Sequence, residues 1–295
     1  DLLREAKGYR VCLAWLNDFT FTKVGFENFV DLWASPSHPH LEQVMDNPKW
    51  HRVDVTPDFP DGKATFNPDP LKWVVIPLGC DPERYPESIA KVPGRVVYCS
   101  SPDRGLHWVL QEWPKIKRAV PHANLRIFYR LQPWIDQFKT VAYFPPIERL
   151  RARALYIEDA LRRMKDPKWG IEVLDSVSRE QIEREMCEAE VLAYPVETTS
   201  WSEGFSCSTL EGCAARACPV LMECDALGEI YKGVVICGPA KRPDLWRDHM
   251  IQALTDRELR ESVNRRARGF AEAHTWRRTT ESILFHIEQR LKAAA

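Results

Sequence analysis

Two glutamates, Glu203 and Glu211, stand with seven residues between them in the stretch Tyr194 to Val220, which reads Y-P-V-E-T-T-S-W-S-E-G-F-S-C-S-T-L-E-G-C-A-A-R-A-C-P-V. The apolar run Val191-Leu192-Ala193-Tyr194, closed by Pro195, suits a buried strand of a parallel sheet. A polar loop carrying Glu203-Gly204-Phe205 follows, and then a helical pattern in which Leu210, Cys213, Ala214 and Ala217 recur at i, i+3, i+4 and i+7. Ser206 or Ser208 can cap that helix. Strand, loop and helix N-terminus in that order make an anion site, because free backbone N–H groups and the positive end of the helix dipole point the same way. Around Ser206, Cys207 and Ser208 the two carboxylates would flank such an anion. A carboxylate is a poor phosphate ligand but a good acceptor for sugar hydroxyls, so the set suits a phosphate with hydroxyl-bearing groups on either side, as in a nucleoside diphosphate sugar. Taken singly, Glu211 also reads as a residue that favours a helix N-terminus and Glu203 as a solvated loop residue. The spacing together with Gly204-Phe205 and the small-residue helix favours the ligand reading.

The elements that must position these residues alternate between strand and helix. Arg95-Val96-Val97-Tyr98-Cys99-Ser100 reads as a strand, followed by the turn Ser101-Pro102-Asp103-Arg104-Gly105 and a helix striped by Leu106, Val109, Leu110 and Trp113 that Pro114 should kink or end. This second strand-turn-helix would set another group of backbone donors beside the first. Arg104 reads either as a grip on two phosphate oxygens or as a surface residue at a helix start. Asn124 to Tyr129 is a further strand, a helix is expected from about Ile147 to Met164, and Gly170 to Val177 is a strand and turn. Ser178 with Gln181 forms a capping box, with Ile182, Met186 and Ala189 on the buried face. Pro219 to Met222 and Gly233 to Gly238 are later strands, the second at an edge. Helices follow over Leu245 to Ala253 and Glu258 to Ala273, and a last one repeats Ile283, Ile287 and Leu291. Before residue 80 the pattern offers strands at Val11 to Leu16, Phe29 to Ser35 and Lys72 to Ile76, with an irregular polar segment from Asn47 to Pro70. His38 and His40 are spaced like a metal pair, but Pro39 between them favours a loop with exposed rings.

The stretch S-E-G-F-S-C-S-T-L-E-G-C-A-A-R-A-C-P-V resembles the Glu-x7-Glu motif of retaining GT-B glycosyltransferases, family 4 in particular, and Val75-Ile76-Pro77-Leu78-Gly79-Cys80-Asp81 resembles the segment that closes their N-terminal domain. The chain departs from the motif at Ser206, where the family has Gly, and at Ala217-Cys218 around a second usual Gly. The resemblance covers residues 72 to 290 and is thin before them. It implies an α/β protein of GT-B type, with two Rossmann-like domains built on parallel sheets and a reduced or truncated N-terminal domain. The domain expectation is a partial acceptor-side domain over 1–85, a nucleotide-sugar-binding domain over 86–274 and a terminal helix over 275–295 that crosses back to the first domain. By the same resemblance, Glu203 would hold sugar hydroxyls and Glu211 the ribose, and Arg104 would offset charge on the leaving diphosphate. Ser100 and Ser101 stand where the family places a further Arg, and Asp175, Ser176 and Val177 where it contacts the base. Asn17 or Asp18 lies near the family's early His.

The implied reaction is metal-independent hexosyl transfer from a nucleoside diphosphate sugar, a UDP-sugar first, to a saccharide, lipid or small-molecule acceptor, with retention and without a further cofactor. The catalytic candidates are Glu203 and Arg104; the donor-binding candidates add Ser100, Ser101, Asp175, Ser176, Val177, Gly204, Phe205, Ser206, Cys207, Ser208 and Glu211. A non-catalytic nucleotide-sugar-binding module and a GT-B nucleotide-sugar epimerase are the competing readings. A net charge of −1 over 295 residues argues against a general nucleic-acid partner. Nine scattered cysteines without a C-x-x-C pair argue for reduced core thiols rather than a disulfide framework or a zinc site. With no long apolar run, the expectation is a cytoplasmic protein, with peripheral membrane association left open.

Overall fold

In this computed structural model the described residues are 11–15, 30–46, 69–140, 145–198 and 201–293, with side chains described from 147 onward in the fourth segment. The calls on Asn17 and Asp18, and most of the segment from Asn47 to Pro70, lie outside them. The described chain divides into two compact units. The smaller takes the residues up to Gly79, the short piece Ser202–Phe205 and the residues from Trp276 onward. The larger takes Cys80–Trp201 and Ser206–Thr275.

Short apolar runs rich in β-branched residues build the larger unit, as buried parallel strands require. Its strands are β4 (Arg95–Tyr98), β5 (Asn124–Phe128), β6 (Ile171–Leu174), β7 (Val191–Tyr194), β8 (Cys218–Met222) and β9 (Ile236–Gly238). They pair in the order β6-β5-β4-β7-β8-β9, every pair parallel. Counted within the unit this is 3-2-1-4-5-6, the doubly wound order in which connections leave β4 and β7 toward opposite edges and open a crevice beyond their carboxyl ends. The central strands β7 and β8 are buried along their whole length, whereas the edge-side β6 is not.

The helices that cover this sheet are α2 (Leu106–Ala119), α3 (Leu131–Thr140), α4 (Pro145–Arg163), α5 (Arg179–Glu188), α6 (Cys207–Ala214), the short α7 (Leu227–Ile230), α8 (Pro243–Thr255) and α9 (Arg257–Ala273). Leu106, Val109, Leu110 and Trp113 of α2 are buried together, as their spacing requires. Pro114 does not end that helix, which continues to Ala119: a proline interior to a helix costs one backbone bond, and the buried stripe on either side outweighs it. Met186 of α5 and its C-cap Ala189 are buried, but Ile182 is only half-buried and lines a cavity described below. All nine cysteines are free thiols.

Among the described residues the smaller unit holds a three-stranded parallel sheet in the order β1-β2-β3, from β1 (Leu13–Trp15), β2 (Leu32–Ser35) and β3 (Trp73–Val75). Trp33 and Trp73 stack at 5.4 Å between ring centroids. Helix α1 (His38–Asp46) follows β2, and the terminal helix α10 (Trp276–Ala293) is tied to this unit by Thr279 Oγ1 donating to Pro77 O (2.9 Å) and Arg290 Nη2 donating to Leu71 O (2.7 Å). His40 corrects the expectation of exposed rings. It is fully buried, with Nδ1 2.6 Å from Ser35 Oγ, because α1 begins at His38 and turns the His40 ring inward; His38 alone is exposed.

Candidate functional site

At the carboxyl ends of β4 and β7, where the crevice lies, the two departing loops are held together by backbone packing. Gly105, at the N-cap of α2, has φ +101°, and a Cβ there would lie 2.0 Å from Pro195 O, the first residue after β7. Only glycine permits that approach. It holds the Ser101–Gly105 turn directly against the exit of β7. Tyr98 OH donates to Ser101 O (2.7 Å), Arg104 N to Ser101 O (2.9 Å), and the Ser101 hydroxyl bonds the Asp103 carboxylate. Asp103 Oδ2 in turn lies 3.5 Å from Arg104 Nε, so the guanidinium is oriented from its own turn.

Across the crevice, Ser206 caps α6: its Oγ accepts from Thr209 N (3.2 Å) and from Thr209 Oγ1 (2.9 Å). Ser208, the other capping candidate, donates to Cys99 O (2.6 Å) and ties the first turn of α6 to the end of β4. Ser100 Oγ donates to Tyr194 OH at 3.4 Å. The helix sits so close to β7 that a Cβ on Gly212 would meet Leu192 Cδ2 at 2.5 Å. Ala217 falls beyond its end, and the residue before it, Arg216, takes the left-handed conformation (φ +54°). Thus Ser100, Ser101, Arg104, Ser206, Cys207 and Ser208 are gathered at one switch point of the sheet.

Glu211 is the fifth residue of α6, at the start of its second turn. Its carboxylate is held by Arg179, whose Nη2 bonds Oε1 and whose Nη1 lies 3.3 Å from Oε2. The same Arg179 Nη2 donates to Tyr85 OH (2.8 Å), and its Nε donates to Glu183 Oε1 (2.8 Å). Burial first, and then the Glu211 carboxylate, raise the Tyr85 hydroxyl above its ordinary value. Arg179 and Tyr85 had no sequence signal: Arg179 is simply the residue after the Ser178 cap, and only the β6–α5 geometry turns it toward α6.

Glu203, Gly204 and Phe205 belong to the smaller unit. Glu203 is buried, Gly204 O accepts from Ser37 Oγ (2.7 Å), and a Cβ on Gly204 would stand 2.4 Å from His40 Cδ2. Asp175, Ser176 and Val177 line a separate cavity of about 740 Å³ at the ends of β5 and β6, together with Phe128, Tyr129 and Trp134.

A further cluster escaped the sequence reading. Glu197, just after β7, accepts through Oε2 from Trp108 Nε1 (2.8 Å) and lies 3.3 Å from His107 Nε2 and 3.1 Å from Arg153 Nη2. Arg153 Nη1 also donates to Asp103 O (2.7 Å) and Glu197 O (2.9 Å), so one guanidinium from α4 clamps the turn after β4 to the loop after β7. The His107 hydrogen bond first, with Arg153 and Trp108 assisting against burial, holds the Glu197 carboxyl down at about 2. Burial lowers the His107 imidazole, against the pull of Glu197.

A doubly wound six-stranded unit together with a second parallel-sheet unit belongs to the GT-B glycosyltransferase fold class, and the chain has that fold. Among solved structures it is similar to a sucrose-phosphate synthase from Thermosynechococcus elongatus, at 11% identity and TM-score 0.63 over 92% of this chain and 60% of that one. A glycosyltransferase from Rickettsia africae matches at 10% identity and TM-score 0.68 over 95% and 70%. A trehalose-6-phosphate synthase matches at 12% identity and TM-score 0.67 over 98% and 70%. This chain therefore spans about 60% of the sucrose-phosphate synthase's length. No protein-family model matches the chain, and no curated protein sequence does. Among the described residues, no helix is long and apolar enough to cross a membrane, and no group of three or more His, Cys, Asp or Glu could hold a metal ion.

Proposed function

We propose that the chain takes part in moving a sugar from a nucleoside diphosphate sugar to an acceptor, with retention at the anomeric carbon and without a metal. The observation that carries this is the switch point of the larger unit, where the capped N-terminus of α6 and the Arg104 turn border one crevice. Similarity to structures described as glycosyltransferases and sugar-phosphate synthases supports the same reading, and so does an Anabaena protein solved in complex with UDP and glucose, at 13% identity and TM-score 0.65 over 95% of this chain and 72% of that one.

On this reading the donor diphosphate seats on the backbone N–H groups at the first turn of α6, at Cys207 and Ser208. Breaking the sugar–phosphate bond leaves negative charge on the diphosphate, and Arg104 with the helix dipole offsets it. Glu211, aimed by Arg179, accepts from the ribose hydroxyls. The cavity at Asp175, Ser176 and Val177 takes the base, whose flat face suits Phe128, Tyr129 and Trp134. Glu203, with Gly204 and Phe205, serves the sugar hydroxyls.

A donor screen by thermal shift with UDP, GDP and ADP sugars tests the binding step, since a ligand that prefers the folded state raises Tm by mass action. The expected result is stabilisation by one nucleotide class, with nucleotide release in the presence of an acceptor and an NMR-identified product of unchanged anomeric configuration. Arg104→Ala should lower turnover about a hundredfold while leaving the preference among donors unchanged. Altered donor preference at full turnover would remove Arg104 from the leaving group, and absence of any shift with all three classes would reject the reading.

A further inference from the structure

At the amino edge of the six-stranded sheet, away from the crevice, lies a second cavity of about 740 Å³. Its position follows from the topology: Lys91 precedes β4, Glu190 immediately precedes β7, and Arg216 stands just before β8, while α9 supplies the rest of the wall. Six basic and four acidic side chains line it. The acids are matched: Glu190 to Arg260 (2.7 Å), Glu87 to Arg216 (3.4 Å), Glu261 to Arg257 (2.6 Å) and Glu272 to Arg268 (2.8 Å).

Two cations remain without an acid of their own. Lys91 Nζ donates to the carbonyl of Ala215 (2.8 Å), and Arg265 hydrogen-bonds to no described residue. Two buried polar atoms of the lining also lack a hydrogen-bond partner among the described residues, the donor Arg216 Nε and the acceptor Asn264 Oδ1. Burial first, and then the Arg216 charge, push the Lys91 ammonium down to about 7. A surplus of positive charge in a concave, part-desolvated site attracts an anion more strongly than the same charges would on an open surface.

We propose that this cavity is a second ligand site, distinct from the crevice, that binds a small phosphate-bearing molecule through Lys91 and Arg265, with the paired arginines as its wall. A phosphate dianion matches the surplus of two cations, and guanidinium groups suit its oxygens. Hydroxyls of an attached alcohol would meet Asn264 Oδ1, which favours a phosphate ester over inorganic phosphate.

The test is calorimetric titration of the full chain, saturated with UDP so that the crevice is not the acceptor, with glycerol 3-phosphate, inorganic phosphate and sulfate in separate runs. The expected result is saturable binding in which the ester is the tightest. Arg265→Ser with Lys91→Met should weaken it at least tenfold while leaving the urea midpoint no lower than that of the parent. Arg265→Ser alone, an exposed change that breaks no ion pair, should weaken it about threefold. Equal binding by parent and double variant, or no saturable binding of any of the three anions, would overturn the proposal. If UDP itself fails to bind, the donor reading fails, but the comparison of parent with double variant still decides this one.

Discussion

The two ends of helix α6 meet opposite conditions. At the carboxyl edge of the sheet its first turn is held by neutral hydroxyls, Ser206 on Thr209 and Ser208 on Cys99 O, and no basic side chain is hydrogen-bonded to those hydroxyls. About 12 Å away, at the amino edge, its terminal carbonyls are covered by the protein's own cations, Lys91 on Ala215 O and Arg268 on Ala214 O. The negative end of the dipole is therefore met by charged side chains, and the positive end by a neutral hydroxyl cap. Each prediction below acts on one end of this helix or on the loops that frame it.

The largest effect is expected from Gly105→Ala. The added Cβ would fall 2.0 Å from Pro195 O at a φ of +101°, so either the turn carrying Arg104 or the exit of β7 must move. The cost should reach about 4 kcal/mol or more, read from the urea midpoint, which places it among the exceptional single substitutions. A loss within experimental error of zero would show that the two loops are not in contact as described, and the crevice would lose its frame.

Next comes the clamp. Arg153→Met removes the bonds to Asp103 O, Glu197 O and the Glu197 carboxylate together, and should cost about 3 kcal/mol because it leaves a half-buried carboxylate without its arginine. Glu197→Gln gives the pH signature. An unfolded glutamate titrates near 4.5 and the folded Glu197 near 2, so as pH falls from about 4.5 to about 2 the unfolded chain takes up the proton first and stability drops. Above that window the contribution is fully present. In the glutamine variant the acid limb between those pH values should flatten; a parent and variant with parallel acid limbs would contradict the described bonding.

Much of this frame was legible beforehand, and the illegible part has a common cause. The strands, the α2 stripe and the capped start of α6 rest on local periodicity and on capping residues, which leave a mark in the sequence itself. Arg179, Arg153, Glu197 and Tyr85 act across sequence separations of 32 to 94 residues, and no local pattern records such a partner. The turn after α6 leaves no mark in the sequence for a related reason: Arg216 adopts φ +54° without being glycine. His40 was misread because its burial depends on Ser35 and on the inward turn of α1. Helix α3 went unread within a stretch whose charged and aromatic residues gave no clear period, and it became visible only as a neighbour of α4.

At the donor end, Glu211→Ala should weaken nucleotide-sugar affinity by about 2 kcal/mol, the usual cost of losing hydrogen bonds to a charged acceptor. Arg179→Met would then be the sharper probe. If Arg179 only aims Glu211, each single change and the double change should give similar losses in calorimetry, because removing either breaks the same unit. Additive losses would mean that the two residues act on the ligand separately.

The smallest effects compare the two ends of α6 directly, and they are expected to differ in sign. Ser208→Ala removes one neutral bond of 2.6 Å to Cys99 O and should destabilise by about 1 kcal/mol with no pH dependence near neutrality. Lys91→Met also removes a bond to a carbonyl, but it removes with it an ammonium whose burial holds it at about 7. Between about pH 7 and 10.5 the unfolded lysine keeps its proton while the folded one gives it up, so in the parent stability rises with pH across that range, and below it the penalty is fully present. The methionine variant should therefore be the more stable of the two proteins at pH 7, with the advantage shrinking toward pH 10. If Lys91→Met instead destabilises at pH 7 as Ser208→Ala does, the lysine is a net stabilising cap rather than an uncompensated charge, and the contrast between the two ends of the helix disappears.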